Sequence, residues 1–250
     1  IVPVDYVNTG GLQKNMIWEN GLHPFLELKH NLKMTTPSLT TCFISNIGYF
    51  KLYNKLYGLT GTLGAKAEQD LLRESYNIDY VWIPTFKDKK FTELQPVYIE
   101  DNDWLKLIIQ DSVEKIEKGR AVLIICETIQ DACIIEKALN NKLKGNTFPY
   151  HTSLYYLDTD ELPEANKVKP GDIIIATNIA GRGTDITTTI EVEQNGGLHV
   201  CLTFLPANLR VEEQAFGRTS RQGNEGSGQM IVKLKKTVKF LVNNSSNSTK

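Results

Sequence analysis

Four short apolar runs in the second half of the chain, "AVLIIC", "DIIIATN", "GLHVCLTF" and "GQMIVKLK", constrain the fold more than any other feature of the sequence. Each is too short for a buried helix and rich in β-branched residues, so each reads as a strand. Between and around them lie segments with helical spacing: "NDWLKLIIQDSVEKIEKG", with Asn102 or Asp103 as its cap, "TIQDACIIEKALNNKL", starting at Thr128, and "RVEEQAFGRTSRQG". Strands that are apolar along their length and joined by helices form a parallel sheet covered on both faces. Such sheets bind ligands beyond the carboxyl ends of their strands. The stretch "TNIAGRGTDI", Thr177 to Ile186, follows one such end.

The first half alternates in the same way. "VPVDYV", "TTCFIS" (Thr40 to Ser45), a short run ending in "GLTGT" and "YVWIPT" (Tyr80 to Thr85) read as strands. "GLHPFLELKHNL", "NIGYFKLYNKL" and "AKAEQDLLRESY" (Ala65 to Tyr76) read as helices. Residues 86–96, "FKDKKFTELQP", turn polar and lysine-rich, which suits a connection between domains. The tail "NNSSNSTK" has no apolar surface to bury and reads as disordered. At 250 residues there is room for one large or two small cores. The chain starts with Ile rather than Met, which suggests a piece of a longer protein.

A formal net charge of −1 argues against a nucleic-acid partner, because phosphate neutralisation demands a basic excess. Cys42, Cys126, Cys133 and Cys201 form no C-x-x-C pair. Cys126 and Cys201 sit in strand-like runs, which fits a reducing, cytoplasmic compartment. No apolar run is long enough to span a bilayer. His199 and Cys201 alternate on one strand and so share a face; with no second Cys/His pair nearby, a core role is favoured over a metal site. His23, His30 and His151 have no partner at the level of motifs, and no nucleophile–base arrangement is visible.

Two stretches carry chemistry. "QAFGRTSRQG" places Arg218 and Arg221 three apart, which on a helix puts both guanidiniums on one face. A polyphosphate would relieve their repulsion, since arginine's planar fork matches phosphate oxygens; the competing reading is a solvated helix face. In "AGRGTD", Gly181 and Gly183 let backbone approach a ligand and Asp185 is a good acceptor for ribose hydroxyls. Together these describe half of an ATP site. The other half, a phosphate loop, is not found. "GLTGTLGAK" (Gly58 to Lys66) displaces the lysine by one residue and puts Ala67 where a magnesium-binding hydroxyl belongs.

These motifs resemble, in order and over about Val2 to Ile231, those of the SecA family of preprotein-translocase motors, helicase-like superfamily-2 ATPases with two RecA-type domains. "GLHPFLELK" is similar to that family's G-L-H-Q-A-I-E-x-K helix, "LYGLTGTLG" to A-G-M-T-G-T-A and "YVWIPT" to V-x-x-I-P-T. "TNIAGRGTDI" is nearly identical to T-N-M-A-G-R-G-T-D-I. "GGLHV" and "EEQAFGRTSRQGNEGS" resemble G-G-L-H-I and D-N-Q-L-R-G-R-S-G-R-Q-G-D-x-G-S. The resemblance implies an α/β fold of RecA-like parallel sheets flanked by helices, of the P-loop NTPase helicase type, with the first domain incomplete. Residues 1–85 would close that first domain, 86–96 would link, 97–236 would form the second and 237–250 would be a tail.

It also implies roles. Arg218 and Arg221 would be arginine fingers on the γ-phosphate. Gly181, Arg182, Gly183, Asp185 and Gln222 would face the nucleotide, and Thr60, Gly61 and Thr62 would couple hydrolysis to domain closure. The ligand would be ATP with Mg2+, the metal held mainly by an upstream phosphate-loop domain of the same protein. The cargo would be a polypeptide, with peripheral membrane association, and this piece alone would be inactive. Departures from the family pattern are Tyr6 and Gly11 in "VDYVNTGG", Ser220 in place of a glycine, and a short Thr187–Asn195 interval. A helicase half acting on RNA or DNA and a non-catalytic interaction module are the alternatives.

Overall fold

The computed structural model describes residues 1–5, 12–13, 16–36, 43–145, 149–155, 167–177 and 186–234. The chain divides into two compact units, and its main path passes from one to the other between Pro84 and Thr85.

The first unit carries three helices, α1 (Leu22–Lys29), α2 (Asn46–Phe50) and α3 (Lys66–Tyr76). All three fall where helical spacing places them. Ser45 caps α2 by accepting from the Gly48 amide at 3.1 Å. The strands expected here do not form among the described residues. Tyr80–Thr85 is irregular and Trp82 is exposed; Phe43–Ser45, the described end of "TTCFIS", is irregular too; Val4 makes only an isolated bridge to Leu12. A strand exists through its ladder, and no described segment lies alongside these to complete one.

The second unit is a parallel seven-stranded sheet, ordered β1-β7-β6-β3-β5-β4, with β2 also paired to β7. Its strands are β1 (Lys90–Glu93), β2 (Val97–Ile99), β3 (Val122–Cys126), β4 (His151–Tyr155), β5 (Asp172–Thr177), β6 (Leu198–Leu202) and β7 (Glu225–Lys233). The central register aligns Val122 with Ile173 on one side and with His199 on the other. Residues 86–96, expected to be a connection, instead contain β1. It was hidden because an edge strand buries little; only Phe91 is drawn in, against Phe216. β1 and β2 run along the same side of β7, and the break between them falls at Pro96, which cannot donate to a ladder.

Helices cover both faces. Along β3 the side chains alternate: Val122, Ile124 and Cys126 join a core with α4 (Asp101–Glu117) and α5 (Ile129–Leu143), whereas Leu123 and Ile125 join one with α6 (Ile190–Gln194) and α7 (Leu209–Phe216). This is the RecA-like α/β architecture. Thr128 caps α5 through the Asp131 amide at 3.1 Å, as its place in the sequence suggests. The cap of α4 is Glu100, two or three residues earlier than expected, and its side chain makes no capping bond.

Helix α4 is fastened to β6 and β7 at two levels. Near their carboxyl ends, Trp104 Nε1 donates to the Thr203 and Ile231 carbonyls at 3.2 and 3.1 Å. Near their amino ends, fully buried His199 lies between Asp111 Oδ2 (2.9 Å from Nε2) and Ser227 Oγ (2.7 Å from Nδ1), and Lys115 Nζ is 3.3 Å from Asp111 Oδ1. Burial pushes the Asp111 carboxyl up, but the His199 hydrogen bond, with the charges of His199 and Lys115, more than reverses this and leaves it below its ordinary value. Burial holds the His199 imidazole below its ordinary value against the pull of Asp111. An ionised carboxylate only accepts, so Nε2 carries the proton and Ser227 donates to Nδ1.

Both shifts couple stability to pH with the same sign. The native state binds fewer protons than the unfolded chain, whose histidine and aspartate titrate at about 6.5 and 3.9. Melting temperature is therefore expected to fall as pH drops below about 6.5, and further through the carboxylate range. Circular-dichroism melts from pH 8 to 4 measure this, and the inflection near pH 6 should vanish in His199→Gln. A flat profile from pH 7.5 to 5 would contradict the assignment.

Candidate functional site

The two arginines do come together, though not on a helix face. Helix α7 ends at Phe216, and the 217–223 segment tightens into single turns: the Arg218 amide donates to the Ala215 carbonyl at 3.3 Å and the Thr219 amide to Phe216 at 3.4 Å. Ser220 and Gln222 are left-handed, with φ of 56° and 57°, which a continuous helix would not allow. Thr219 and Ser220 are drawn inward. Thr219 Oγ1 donates to the Leu198 carbonyl at 2.7 Å and Ser220 Oγ to the Lys90 carbonyl at 3.2 Å. Their hydroxyls fit only because β7 presents bare backbone at Gly226, where a Cβ would lie 2.1 Å from Thr219 Oγ1 and 2.6 Å from Ser220 Oγ. With Thr219 and Ser220 pulled in, the residues flanking them, Arg218 and Arg221, face outward. Arg221 Nε is braced by the Gly217 carbonyl at 2.9 Å.

Arg218, Arg221 and Gln222 line one cavity of about 220 Å3 together with Lys167, Thr188 and Glu193. Its place differs from expectation. Leu198 opens β6 and Asn224 immediately precedes β7, and both line the cavity, so it sits at the amino ends of those strands, not beyond carboxyl ends. The reason is geometric: α7 leads away from the carboxyl end of β6, and the chain must return to the opposite edge to enter β7 in parallel. Among the described residues, three cations and one carboxylate line the cavity, which makes that wall electropositive. Thr188 Oγ1 donates to the Glu193 carboxylate, which fixes that one anionic group.

Lys167, Thr188 and Glu193 were not legible in the sequence. They belong to no motif and reach the cavity only because Val168 and Thr188 form a parallel bridge. Gly181, Arg182, Gly183 and Asp185 lie outside the described residues, as do Cys42 and residues 237–250; Ile186, the next described residue after Asp185, is part of the wall. Thr60, Gly61 and Thr62 belong to the first unit, where Thr60 Oγ1 accepts from the Thr62 amide at 3.2 Å and closes a small turn. The cavity itself is built by the second unit.

The serine, histidine and aspartate of the buried Asp111–His199–Ser227 chain are separated by 88 and 28 residues, which hides them from motif reading. They are not a hydrolytic triad. His199 and Ser227 lie buried in the sheet and Asp111 buried on α4, all three shielded from solvent. The same bonds take both ring nitrogens of His199, which removes it as a metal ligand with Cys201. Burial raises the Cys126 thiol to about 12 and the Cys201 thiol well above its ordinary value. Cys126, Cys133 and Cys201 are unpaired, and no described helix is long and apolar enough to cross a membrane.

Comparison with known proteins fits this architecture. The helicase conserved C-terminal domain family matches residues 102–223, which spans α4 through the arginine loop. The second unit is thus a helicase-type C-terminal domain. Against the protein translocase subunit SecA of Cytophaga hutchinsonii the chain is 35% identical over 230 residues, covering 90% of this chain and 20% of that protein. Against SecA of Clostridium botulinum it is 33% identical over 227 residues, covering 90% and 27%. Over 90% of its length the chain is similar to these SecA proteins, and it spans about a fifth to a quarter of their length. Among solved structures, domain 2 of the DEAD-box helicase Mss116p bound to an RNA duplex is 17% identical with a TM-score of 0.41, covering 58% of this chain and 55% of that one.

Ser220 stands where the resembling family has glycine, at a left-handed position. The strain of about 1 kcal/mol is set against its hydroxyl bond to β1. Ser220→Ala keeps the strain and loses the bond, so it should cost about 1 kcal/mol. Ser220→Gly loses both and should stay within about 0.5 kcal/mol of the parent. Urea unfolding of the three proteins tests this; an alanine variant as stable as the parent would contradict it.

Proposed function

We propose that this chain supplies the second half of an ATP site in a SecA-type motor that couples ATP hydrolysis to movement of a polypeptide. The observation that carries the reading is the convergence of Arg218 and Arg221, with Gln222 and Lys167, on one electropositive cavity. A guanidinium pair held at fixed spacing is suited to a γ-phosphate, where it offsets charge that develops as the phosphoryl group transfers. At about 220 Å3 the cavity is smaller than the roughly 300–1,000 Å3 of a typical ligand pocket. It would cover the phosphate end of a nucleotide and leave the remainder to another surface.

On this reading magnesium is held mainly by an upstream domain of the same protein rather than by this wall. Among the described residues no group of three His, Cys, Asp or Glu side chains is placed to hold a metal, and the single carboxylate of the cavity already accepts from Thr188. The metal ligands and the phosphate loop are assigned to an upstream domain of the same protein. Thr60–Thr62 would report closure of the two halves, and Gly181, Arg182, Gly183 and Asp185 would complete the nucleotide contacts. A polypeptide as cargo is suggested by the name protein translocase that these relatives carry, and work at a membrane surface is part of the same proposal.

Titration of the chain with a fluorescent ATP analogue tests the half-site. Binding should be weak and salt-sensitive, and Arg218→Ala and Arg221→Ala should each weaken it about tenfold or more, the loss of one charge-assisted contact. Turnover of ATP by the chain alone should stay at background. Unchanged affinity in the double variant would move the reading to a non-catalytic module, and turnover at the rate of a complete motor would refute the division of the site.

A further inference from the structure

We propose that His199 is a positioning residue for the arginine loop: by bridging Asp111 of α4 to Ser227 of β7, it sets the separation of β6 and β7 on which the convergence of Arg218 and Arg221 depends. The inference rests on the reading of that loop as a phosphate site.

The bridge ends one residue from the loop on both strands. On β6, the neighbour of His199 is Leu198, whose carbonyl accepts the Thr219 hydroxyl at 2.7 Å. On β7, the neighbour of Ser227 is Gly226, whose bare α-carbon seats the Thr219 and Ser220 hydroxyls. The ladder itself aligns Leu198 with Gly226 and His199 with Ser227. The loop therefore grips one rung of the sheet, and the imidazole fastens the rung beside it. Backbone bonds alone hold adjacent strands at their usual spacing, but a sheet without a side-chain tie can twist and splay at its ends, and here the tie is made where the loop sits.

A second fastening fixes the tie in space. Asp111 is itself held by Lys115 at 3.3 Å, and α4 is pinned at its other level by Trp104. Arg120 Nε donates to the Gly197 carbonyl at 2.8 Å, immediately before β6. Gly197 takes φ of 72° and leaves no room for a side chain, since a Cβ would lie 1.8 Å from the Glu225 carbonyl. The amino ends of β6 and β7 are thus clamped from α4 on one side and by close backbone contact on the other. A helix, two strands and a loop move as one piece. An apolar residue at 199 would fill the volume but leave Asp111 and Ser227 without their partner.

Inorganic tripolyphosphate, which has no base or sugar, is the probe. In the full chain its binding is measured by calorimetry alongside thermal melting. Ser227→Ala removes one hydroxyl and keeps the His199–Asp111 pair; with Nδ1 left without its donor it should melt a few degrees below the parent yet stay folded, and bind tripolyphosphate about five- to tenfold more weakly. His199→Phe should weaken it further. A purely structural histidine would be silent to ligand. Here the His199 ring resonances in nitrogen–proton NMR should shift as tripolyphosphate saturates the parent, and stay still in the Arg218→Ala/Arg221→Ala variant. Parent-like affinity in Ser227→Ala, or ring signals unmoved at saturation, would overturn the positioning role while leaving the arginine site standing. No tripolyphosphate binding by the parent, or equal binding by the double arginine variant, would remove the phosphate reading and the proposal with it.

Discussion

The site depends on one close approach: the hydroxyls of Thr219 and Ser220 seated on the bare backbone of Gly226. Without that contact the segment after α7 would have no reason to leave the helical path, and Arg218 and Arg221 would point wherever a solvated helix end allowed. Given the contact, the two inward hydroxyls and two outward guanidiniums are parts of one conformation. The left-handed Ser220 and Gln222 are its cost, offset by bonds to Leu198 and Lys90. Backbone strain of this kind persists only where the surrounding structure over-determines it, as the seat on Gly226 does here.

Around this contact the second unit is organised with little slack. The central strands are buried on both faces, so their positions are set by tight packing against α4 and α5 on one side and α6 and α7 on the other. Two of the polar groups admitted to that interior are fully used: Trp104 bonds two carbonyls, and His199 uses both ring nitrogens. Both tie α4 to β6 and β7, the strands that carry the arginine loop. The same polar ties make the unit sensitive to acid, because protonating His199 would turn an acceptor into a donor against a hydroxyl already arranged to donate.

Much of this was readable from sequence, and the failures are physical. The strands β3, β5, β6 and β7 announced themselves because two-sided burial makes their centres largely apolar runs, and the helices α4 and α5 because their apolar residues recur with helical spacing. β1 and β2 did not, since an edge strand needs only one buried residue in two. The strands read into the first half failed for the opposite reason: apolar pattern without a neighbouring strand leaves Val81, Trp82 and Ile83 exposed. Arg218 and Arg221 were found by their residue type and spacing, but the helix assumed for them was wrong, because the pull of Thr219 and Ser220 toward β6 and β1 is tertiary. Lys167, Glu193 and the Asp111–His199–Ser227 chain were invisible for the same reason; nothing local marks residues whose meeting depends on the order of strands in a sheet.

The most direct test of the central claim is a crystal structure of the chain with adenosine thiotriphosphate, whose γ-phosphorothioate sulfur can be located by anomalous scattering. The account predicts the sulfur between the Arg218 and Arg221 side chains, with Gln222 and Lys167 in the same cavity at the amino ends of β6 and β7. A nucleotide bound elsewhere on the second unit, with both guanidiniums turned away from its phosphates, would contradict it.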